Sequence, residues 1–290
     1  MAVSDVPEGL RHRVRTTARE LRREWAVHVG LIVALLFLTL PVVLVAVMST
    51  QTNTEVLDFT FLGIGSQGLS NYVEVLTERN FGTYLVNSFV MASLIAVGKI
   101  AISMLAALAI VFYDFRFKRT LFVLILLTLM LPVPVRIVPL FELMVNFGWH
   151  DSMYALVLPY LASPTAVLLL RQHFRSISES LVETAKLDGV GPFRFLFRVL
   201  LPMSKSMIIG LFVISFVWGW NQYLWPLVAI RSDEKQVVQV GLEQLQGAQA
   251  GGEPLWGLIM AGTVLALLPA LIILVVMHRP LLETFNIQTK

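Results

Sequence analysis

Four long stretches without any charged side chain restrict what this sequence can fold into. Residues 26–54, 152–170, 206–230 and 254–278 contain no Asp, Glu, Lys or Arg. Each stretch is close to or above the ~20 residues that a helix needs to cross a bilayer core. Hydrophobic residues make up 57% of the chain and charged residues 14%. A single soluble domain has no way to hide so much apolar surface from water, so this class of protein is excluded.

Two further apolar stretches are interrupted by charge. Residues 80–113 contain Lys99, and residues 120–144 contain Arg136 and Glu142. Helices satisfy their own backbone polar groups in lipid, so we expect an all-α polytopic membrane protein. Six membrane-spanning helices are predicted, over residues 28–50, 85–112, 120–144, 152–172, 206–230 and 255–278.

Basic residues predict how these helices are oriented. Seventeen of the 22 lysines and arginines fall before the first helix, between helices two and three or four and five, or after the sixth. Because cytoplasmic segments carry the excess of Lys and Arg, both termini are predicted to be cytoplasmic. The basic segment 1–27 is interpreted as lying beside anionic lipid, and nucleic-acid binding is not expected. The first apolar run is too long for a typical signal peptide and is interpreted as a retained anchor.

Motifs of known chemistry give little support for an enzyme. Gly63, Gly65 and Gly68 spell GxGxxG, but in a short external loop rather than between a strand and a helix, so they are interpreted as turn residues. The sequence has no GxxxxGK[ST] phosphate loop and no GxSxG motif. It has no cysteine, and its five histidines are scattered, so no metal site is expected.

External loops 51–84, 145–151 and 231–254 are candidates for docking a partner.

The cytoplasmic segment between the fourth and fifth predicted helices is too polar to lie in lipid. Ser176 and Glu179 are spaced for a capping box at the start of a helix. That helix is predicted to end at Gly189, which suits a left-handed cap, and Pro192 suits the first turn of a second short helix. An interfacial amphipathic connector is the alternative interpretation of this segment.

A resemblance to a known family is carried by this segment. Glu183-Thr-Ala-Lys-Leu-Asp-Gly189, nine residues, and Val199-Leu-Leu-Pro202 resemble the EAA loop of ABC importer permeases. The family pattern is EAA, three residues, Gly, nine residues, an aliphatic residue, any residue, Leu and Pro. Thr184 replaces the second Ala and Val199 the usual Ile, which are small changes.

A finer resemblance covers most of the chain. Asn87–Ala92, Gly98–Ile100, Leu131–Ile137 and Gly219–Pro226 are similar to segments of the second permease subunit of sn-glycerol-3-phosphate importers. Relatives of those importers carry glycerophosphodiesters such as glycerophosphocholine. The resemblance leaves open the same machinery importing a neutral sugar.

The resemblance implies a type I ABC importer permease fold in the bacterial inner membrane, with a permease domain over 28–290 and its core over 81–279. It implies a second homologous permease, a homodimeric cytoplasmic ATPase and an extracytoplasmic binding protein as partners. ATP would bind to the partner ATPase, so this chain would have no cofactor and catalyse no reaction. Residues 173–205, the coupling loop, would dock on the ATPase. Its implied docking residues are Glu183, Ala185, Asp188, Gly189, Val190, Arg194 and Pro202.

Charge inside the membrane points to residues of a substrate path. Such charges are costly and usually face protein or a water-filled cavity. Lys99 falls near the middle of the second predicted helix, and Arg136 in the third, bracketed by Pro132, Pro134 and Pro139. An arginine guanidinium can bind two phosphate oxygens at once, which a lysine ammonium does less well. The alternative role of Arg136 is a structural tie to Glu142 or to free carbonyls.

Polar and aromatic residues in the fifth predicted helix add further candidates. Asn221, Trp218 and Tyr223 lie where a pocket for a polar ligand is expected, while an aromatic belt at the membrane surface is the alternative for Tyr223. Rival interpretations of the whole chain are a stand-alone channel or secondary transporter, which would need mid-membrane carboxylates for ion coupling, and a membrane enzyme.

Overall fold

The computed structural model describes residues 8–58, 63–247, 249–250 and 253–284. Helices dominate this part of the chain. The longer ones are α1 (Glu8–Met48), α3 (Ser70–Thr77), α4 (Phe81–Phe112), α5 (Lys118–Leu127), α6 (Val133–Asn146), α8 (Pro164–Arg175), α9 (Glu179–Leu187), α12 (Lys205–Trp220), α14 (Val238–Gly247) and α15 (Trp256–Thr284).

Short elements connect these helices. They are α2 (Asn53–Leu57), α7 (Met153–Val157), α10 (Pro192–Phe195), α11 (Leu201–Met203) and α13 (Leu224–Ala229), with 3₁₀ turns at Thr128–Met130, Leu158–Tyr160 and Asp233–Lys235 and a π-helical turn at Leu196–Leu200. Strands β1 (Gln249–Ala250) and β2 (Glu253–Pro254) form one antiparallel pair. The third external loop of the sequence therefore contains α14 and this small hairpin.

Three helices are long and apolar enough to cross a membrane alone, namely Val27–Met48, Phe81–Phe112 and Trp256–His278. Three bent pairs within the described residues pass the same test together. They are Lys118–Met130 with Pro134–Asn146, bent by 107°, Met153–Tyr160 with Pro164–Arg175, bent by 45°, and Pro192–Met203 with Lys205–Trp220, bent by 83°. Six spans result if each pair is one span, and the count of six stays a prediction.

Several predicted spans are not continuous helices, and proline explains the breaks. The span predicted over 120–144 is interrupted after Met130, where Pro132 is extended and precedes α6. The span predicted over 206–230 ends at Trp220 and resumes at Leu224. A continuous helix there would bring the Pro226 ring against the carbonyl four residues earlier. Each of these two predicted spans therefore consists of two helical segments.

Helix α4 lies at the centre of the packing, against α8, α12 and α15. Gly219 of α12 lies so close to α4 that an added Cβ would be 3.1 Å from the Cα of Ala92. Small residues allow such close approach between helices in membranes. The Trp220 indole NH donates to the Ala266 carbonyl at 3.0 Å, which ties α12 to α15.

The apolar surface of α1 is unlike that of α4. The window Val27–Met48 has none of its residues buried, whereas half of the corresponding window of α4 is buried. A helix with this much exposed apolar surface is not stable against water, so α1 contacts lipid or another membrane subunit.

An aspartate links two connecting segments, the one before α7 and the one after α13. Asp151 accepts hydrogen bonds through Oδ1 from the backbone NH groups of Arg231 and Ser232, both at 2.9 Å. Its Oδ2 accepts from the Ser232 hydroxyl and from Lys235 Nζ at 3.0 Å. Tyr84 and Asn80 bind Asp233 from the start of α4, at 2.6 and 2.9 Å. The 231–238 segment is therefore fixed to two different parts of the fold.

Candidate functional site

A cavity of about 540 Å³ opens beside α4, between α8, α12 and the broken helix pair α5–α6. We call it the central cavity. Part of its wall, residues 128–136 and 159–169, comes from elements that break or bend at prolines, and the rest comes from the unbroken helices α4 and α12. The lining residues are Lys99, Thr128, Leu129, Leu131, Arg136, Pro159, Tyr160, Ala162, Ser163, Pro164, Thr165, Ala166, Leu169, Leu211, Ile214, Ser215 and Trp218.

Lys99 brings a charge into this cavity from the middle of α4. Its side chain is buried, with 8% of the residue exposed, and Nζ lies 3.5 Å from the centre of the Trp218 ring. Within the described part of the chain it forms no salt bridge. The face of the indole partly offsets the cost of burying the ammonium, because the ring carries negative potential above its plane.

Arg136 lines the same cavity from the first turn of α6. Pro132 and Pro134 start that helix between two apolar segments, and its first turn lines the cavity. Arg136 makes no ion pair with any residue that the structure describes, and Glu142 does not line the cavity. The alternative role of Arg136 as a structural tie to Glu142 is therefore not seen.

The remaining polar groups of the cavity are neutral. They are the hydroxyls of Thr128, Tyr160, Ser163, Thr165 and Ser215. None of the described lining residues carries a carboxylate. The cavity thus combines two cations with hydroxyl donors, a composition that favours an anionic solute with further polar groups.

Aromatic contacts hold the Trp218 wall in place. The Tyr160 ring meets the Trp218 ring edge-on, with centroids 4.9 Å apart, and also contacts Trp225 at 6.5 Å. The indole NH of Trp225 donates to the Ala155 carbonyl at 2.9 Å. Each ring in this series is fixed by the next, so the position of Trp218 over Lys99 is set by packing.

The structure brings together three of the five path residues predicted from sequence: Lys99, Arg136 and Trp218. Asn221 and Tyr223 do not line the central cavity. Asn221 follows the end of α12, where its Nδ2 donates to the Val217 carbonyl at 2.8 Å. It lies in an adjoining open cleft, which includes Gln222 and Leu274 and shares Ile214 and Trp218 with the central cavity.

Tyr160 and Ser163 are cavity residues that the sequence analysis missed. Both lie where the 3₁₀ turn Leu158–Tyr160 meets the start of α8. The signal in the sequence was the pair Ser163–Pro164 inside an apolar run, because serine followed by proline marks a helix start. Ser163 Oγ indeed accepts from the Ala166 NH at 3.3 Å.

The coupling loop contains the helix end predicted from sequence. Gly189 has a φ of +66°, and the Val190 NH donates to the Ala185 carbonyl at 3.0 Å, closing α9 with a Schellman-type cap. Pro192 begins α10, as predicted. Ser176 behaves differently, since its hydroxyl donates to the His173 carbonyl at 2.7 Å and so ends α8 instead of capping α9.

The coupling loop presents one half-buried face and one exposed face. Val182, Ala185 and Val190 pack towards Phe112 and Phe195 in one cluster of buried apolar residues. Leu187 and Phe193 are 88% and 65% exposed, which is unusual for apolar side chains in a polar segment. The implied docking residues Glu183, Asp188, Gly189, Arg194 and Pro202 are also exposed. This surface has the apolar anchors and charged surroundings of a protein-docking site.

Comparison with known proteins places these features in a family. Residues 99–281 match the family model of the binding-protein-dependent transport system inner membrane component. The chain is 40% identical over 260 residues to the sn-glycerol-3-phosphate transport system permease protein UgpE of Rhizobium meliloti, across 87% of this chain and 92% of that one. The corresponding protein of Agrobacterium fabrum is 38% identical over 260 residues, which again cover 87% of this chain and 92% of that one.

A solved structure shows the same fold. The crystal structure of a bacterial ABC transporter involved in the import of the acidic polysaccharide alginate superposes with a TM-score of 0.78, at 21% identity, covering 91% of this chain and 97% of that one. The all-α permease fold predicted from the sequence is confirmed by this likeness. The chain belongs to the family of inner membrane components of binding-protein-dependent transport systems and is an ABC importer permease.

Proposed function

We propose that this permease forms the translocation path for sn-glycerol-3-phosphate or a glycerophosphodiester such as glycerophosphocholine. The observation that supports this cargo best is the central cavity, where Lys99 and Arg136 have no acidic partner among the described residues. The relatives named above, which carry sn-glycerol-3-phosphate transport in their names, support the same cargo.

Electrostatics favours a phosphate over a neutral sugar. Two cations without counter-ions in a membrane interior are expensive to maintain when the cargo is neutral. A phosphate reduces this cost, because its oxygens accept charge-assisted hydrogen bonds from an arginine fork and an ammonium. The hydroxyls of Tyr160 and Ser163 are suited to the glycerol part of such a cargo.

Three proposed partners account for surfaces that the chain leaves exposed. We assign the exposed face of the coupling loop to a homodimeric cytoplasmic ATPase, which would bind the ATP. A second homologous permease would complete the path. A substrate-binding protein would deliver cargo to the external side, where Asp151 and Asp233 fix the 231–238 segment. In one solved relative the alginate transporter is in complex with a periplasmic protein that carries its oligosaccharide.

This assignment also proposes a topology. The chain would be a multi-pass protein of the bacterial inner membrane with both termini cytoplasmic and segment 1–27 beside anionic lipid. The permease domain over 28–290 would contain its core in 81–279. A stand-alone secondary transporter is disfavoured, because ion coupling needs a carboxylate on the path and no described lining residue of the central cavity provides one.

The test uses the complete complex of both permeases, the ATPase and the binding protein, purified together. ATP hydrolysis is measured with sn-glycerol-3-phosphate, glycerophosphocholine, glycerol and a neutral disaccharide. Stimulation by the phosphate compounds and not by the neutral ones is expected. Stimulation by the neutral disaccharide alone would contradict the proposed cargo while leaving the permease assignment intact.

A further inference from the structure

A second group of unpaired cations lies at the other end of α8. Arg171 and Arg175 are four residues apart on this helix and share one face. Neither forms a salt bridge with any residue in the described ranges. Like charges at this spacing repel each other, so the pair is destabilising unless an anion lies between them.

Arg171 is held in a defined position. The Cζ atom of its guanidinium lies 4.3 Å from the centre of the Phe122 ring on α5, and its Nε is buried without a hydrogen-bond partner. A buried NH group without an acceptor is costly, and such groups usually mark a missing ligand or water. The favourable interaction of cations with a helix C-terminus explains why basic residues occur there, but not why this Nε lacks an acceptor.

The surroundings show from which side an anion would arrive. Helix α5 has no buried residue, and its surface beside Phe122 exposes Leu121, Val123 and Leu124. Such a surface faces lipid or another membrane subunit, and we assign it to lipid because of the cations beside it. Arg175 ends α8, and Arg171 lies about 6 Å further in along the axis. Long basic side chains near the end of a membrane helix reach the headgroup region.

We propose that the face of α8 beside α5 is a binding site for the phosphate of an anionic phospholipid, held by Arg171 and Arg175. Basic pockets between membrane helices bind such headgroups on the side where anionic lipids are concentrated. The Phe122 ring, 4.3 Å from Cζ, holds the Arg171 guanidinium beside α5. The bound phosphate accepts from Arg171 and neutralises the repulsion between the two arginines.

The site also adjoins the coupling loop. Arg175 lines a cleft of about 370 Å³ together with Val182 and Glu183 of α9. A lipid that neutralises Arg175 therefore affects the charge beside Glu183. The site is distinct from the central cavity, and its test does not depend on the identity of the cargo.

The experiment titrates phosphatidylglycerol into the detergent-purified complete complex and counts bound lipid by native mass spectrometry. Arg171→Gln is expected to need at least about tenfold more phosphatidylglycerol for the same occupancy, which is the loss of one charge-assisted bond. Lys118→Gln is the matched control. Lys118 lies one turn before Phe122 and is already paired with Asp114 at 3.2 Å. The substitution removes one positive charge, as Arg171→Gln does, but the lipid occupancy of this variant should match that of the wild type.

Two further measurements keep the outcome clear. If Arg171→Gln does not assemble, Arg171→Lys keeps the charge but loses the fork, and is expected to bind several-fold more weakly. Excess sn-glycerol-3-phosphate in solution should leave the lipid bound. Unchanged phosphatidylglycerol affinity in the Arg171 variants, or displacement of the lipid by the soluble phosphate, would overturn the proposal.

Discussion

The ammonium nitrogen of Lys99 lies 3.5 Å from the centre of the Trp218 ring, at the wall of the central cavity. The indole takes the place that a carboxylate has in an ordinary buried ion pair. A cation–π contact offsets the burial of the charge only in part. An anion such as a phosphate would therefore stabilise the Lys99 ammonium more than the indole does.

Lys99→Met is predicted to separate function from stability. Removing the charge takes away one charge-assisted bond to the cargo, so uptake at limiting substrate should fall by about 10- to 150-fold. Thermal stability of the complex should stay equal or rise, because an unpaired buried charge is lost. The measurement is uptake in proteoliposomes beside a melting curve. Equal losses of uptake and stability would show that Lys99 is structural.

Arg136→Gln tests the second cation of the central cavity. Uptake of a phosphate cargo is expected to fall by a similar factor with a normal yield of complex, and Arg136→Lys should restore it only in part, because the fork is lost. Glu142→Gln is the control, since Glu142 lies outside the cavity. If Arg136→Gln and Glu142→Gln both lowered uptake together with the yield of complex, the two residues would form a structural tie.

The cap at Gly189 makes a prediction about coupling. Gly189→Pro is incompatible with a φ of +66°, whereas Gly189→Asn tolerates the left-handed region. We expect the proline variant to reach the membrane, to lose most cargo-stimulated ATP hydrolysis and to retain basal hydrolysis, while the asparagine variant keeps most of the stimulation. Glu183→Lys, which reverses an exposed charge on α9, should uncouple in the same way. Normal coupling in both the proline and lysine variants would make the segment a mere connector.

Asp151 gives a pH dependence with a definite sign. Hydrogen bonds from the Ser232 hydroxyl and backbone, and from Arg231 and Lys235, hold the pKa of Asp151 well below its usual range. Its contribution to stability is therefore complete above the reference pKa of 3.8 and is lost as the pH falls below it. Asp151→Asn should lower the free energy of unfolding by about 1–2 kcal/mol at pH 7 and flatten the decrease in melting temperature below pH 4.

Asp114→Asn is the control for that experiment. Asp114 is fully exposed and pairs with Lys118 at 3.2 Å, so its removal should change stability little. A melting temperature of Asp151→Asn equal to that of Asp114→Asn at neutral pH would show that the link between the two connecting segments contributes nothing.

The sequence predicted where the apolar segments lie better than how they bend. Hydropathy reports which residues can face lipid, and a helix broken before Pro226 has the same hydropathy as a straight one. Pro132, Pro134 and Pro139, by contrast, are a local signal of a break in the third span. The capping chemistry of Gly189 was predictable because it is local. Ser176 was misassigned because a serine at the junction of two helices can serve either of them.

The candidate site was predicted in part for the same reason. Lys99 and Arg136 stood out because any charge in an apolar run is conspicuous. Asn221 was expected on the path because it lies nearest the centre among the polar residues of the fifth predicted helix. Helix α12 ends at Trp220, and Asn221 lines the adjoining cleft instead of the central cavity. Tyr160 could not be distinguished from a packing aromatic until the bend before α8 placed it beside Trp218.

The position of the cargo's phosphate tests the central claim most directly. The complete complex, held closed by a non-hydrolysable ATP analogue in the presence of sn-glycerol-3-phosphate, would be solved by electron cryomicroscopy. The phosphate is predicted to lie within hydrogen-bonding distance of both Lys99 and Arg136, with the ammonium drawn away from the Trp218 ring. A phosphate bound only by the partner permease, with Lys99 still 3.5 Å from Trp218 and Arg136 without a ligand, would contradict the account.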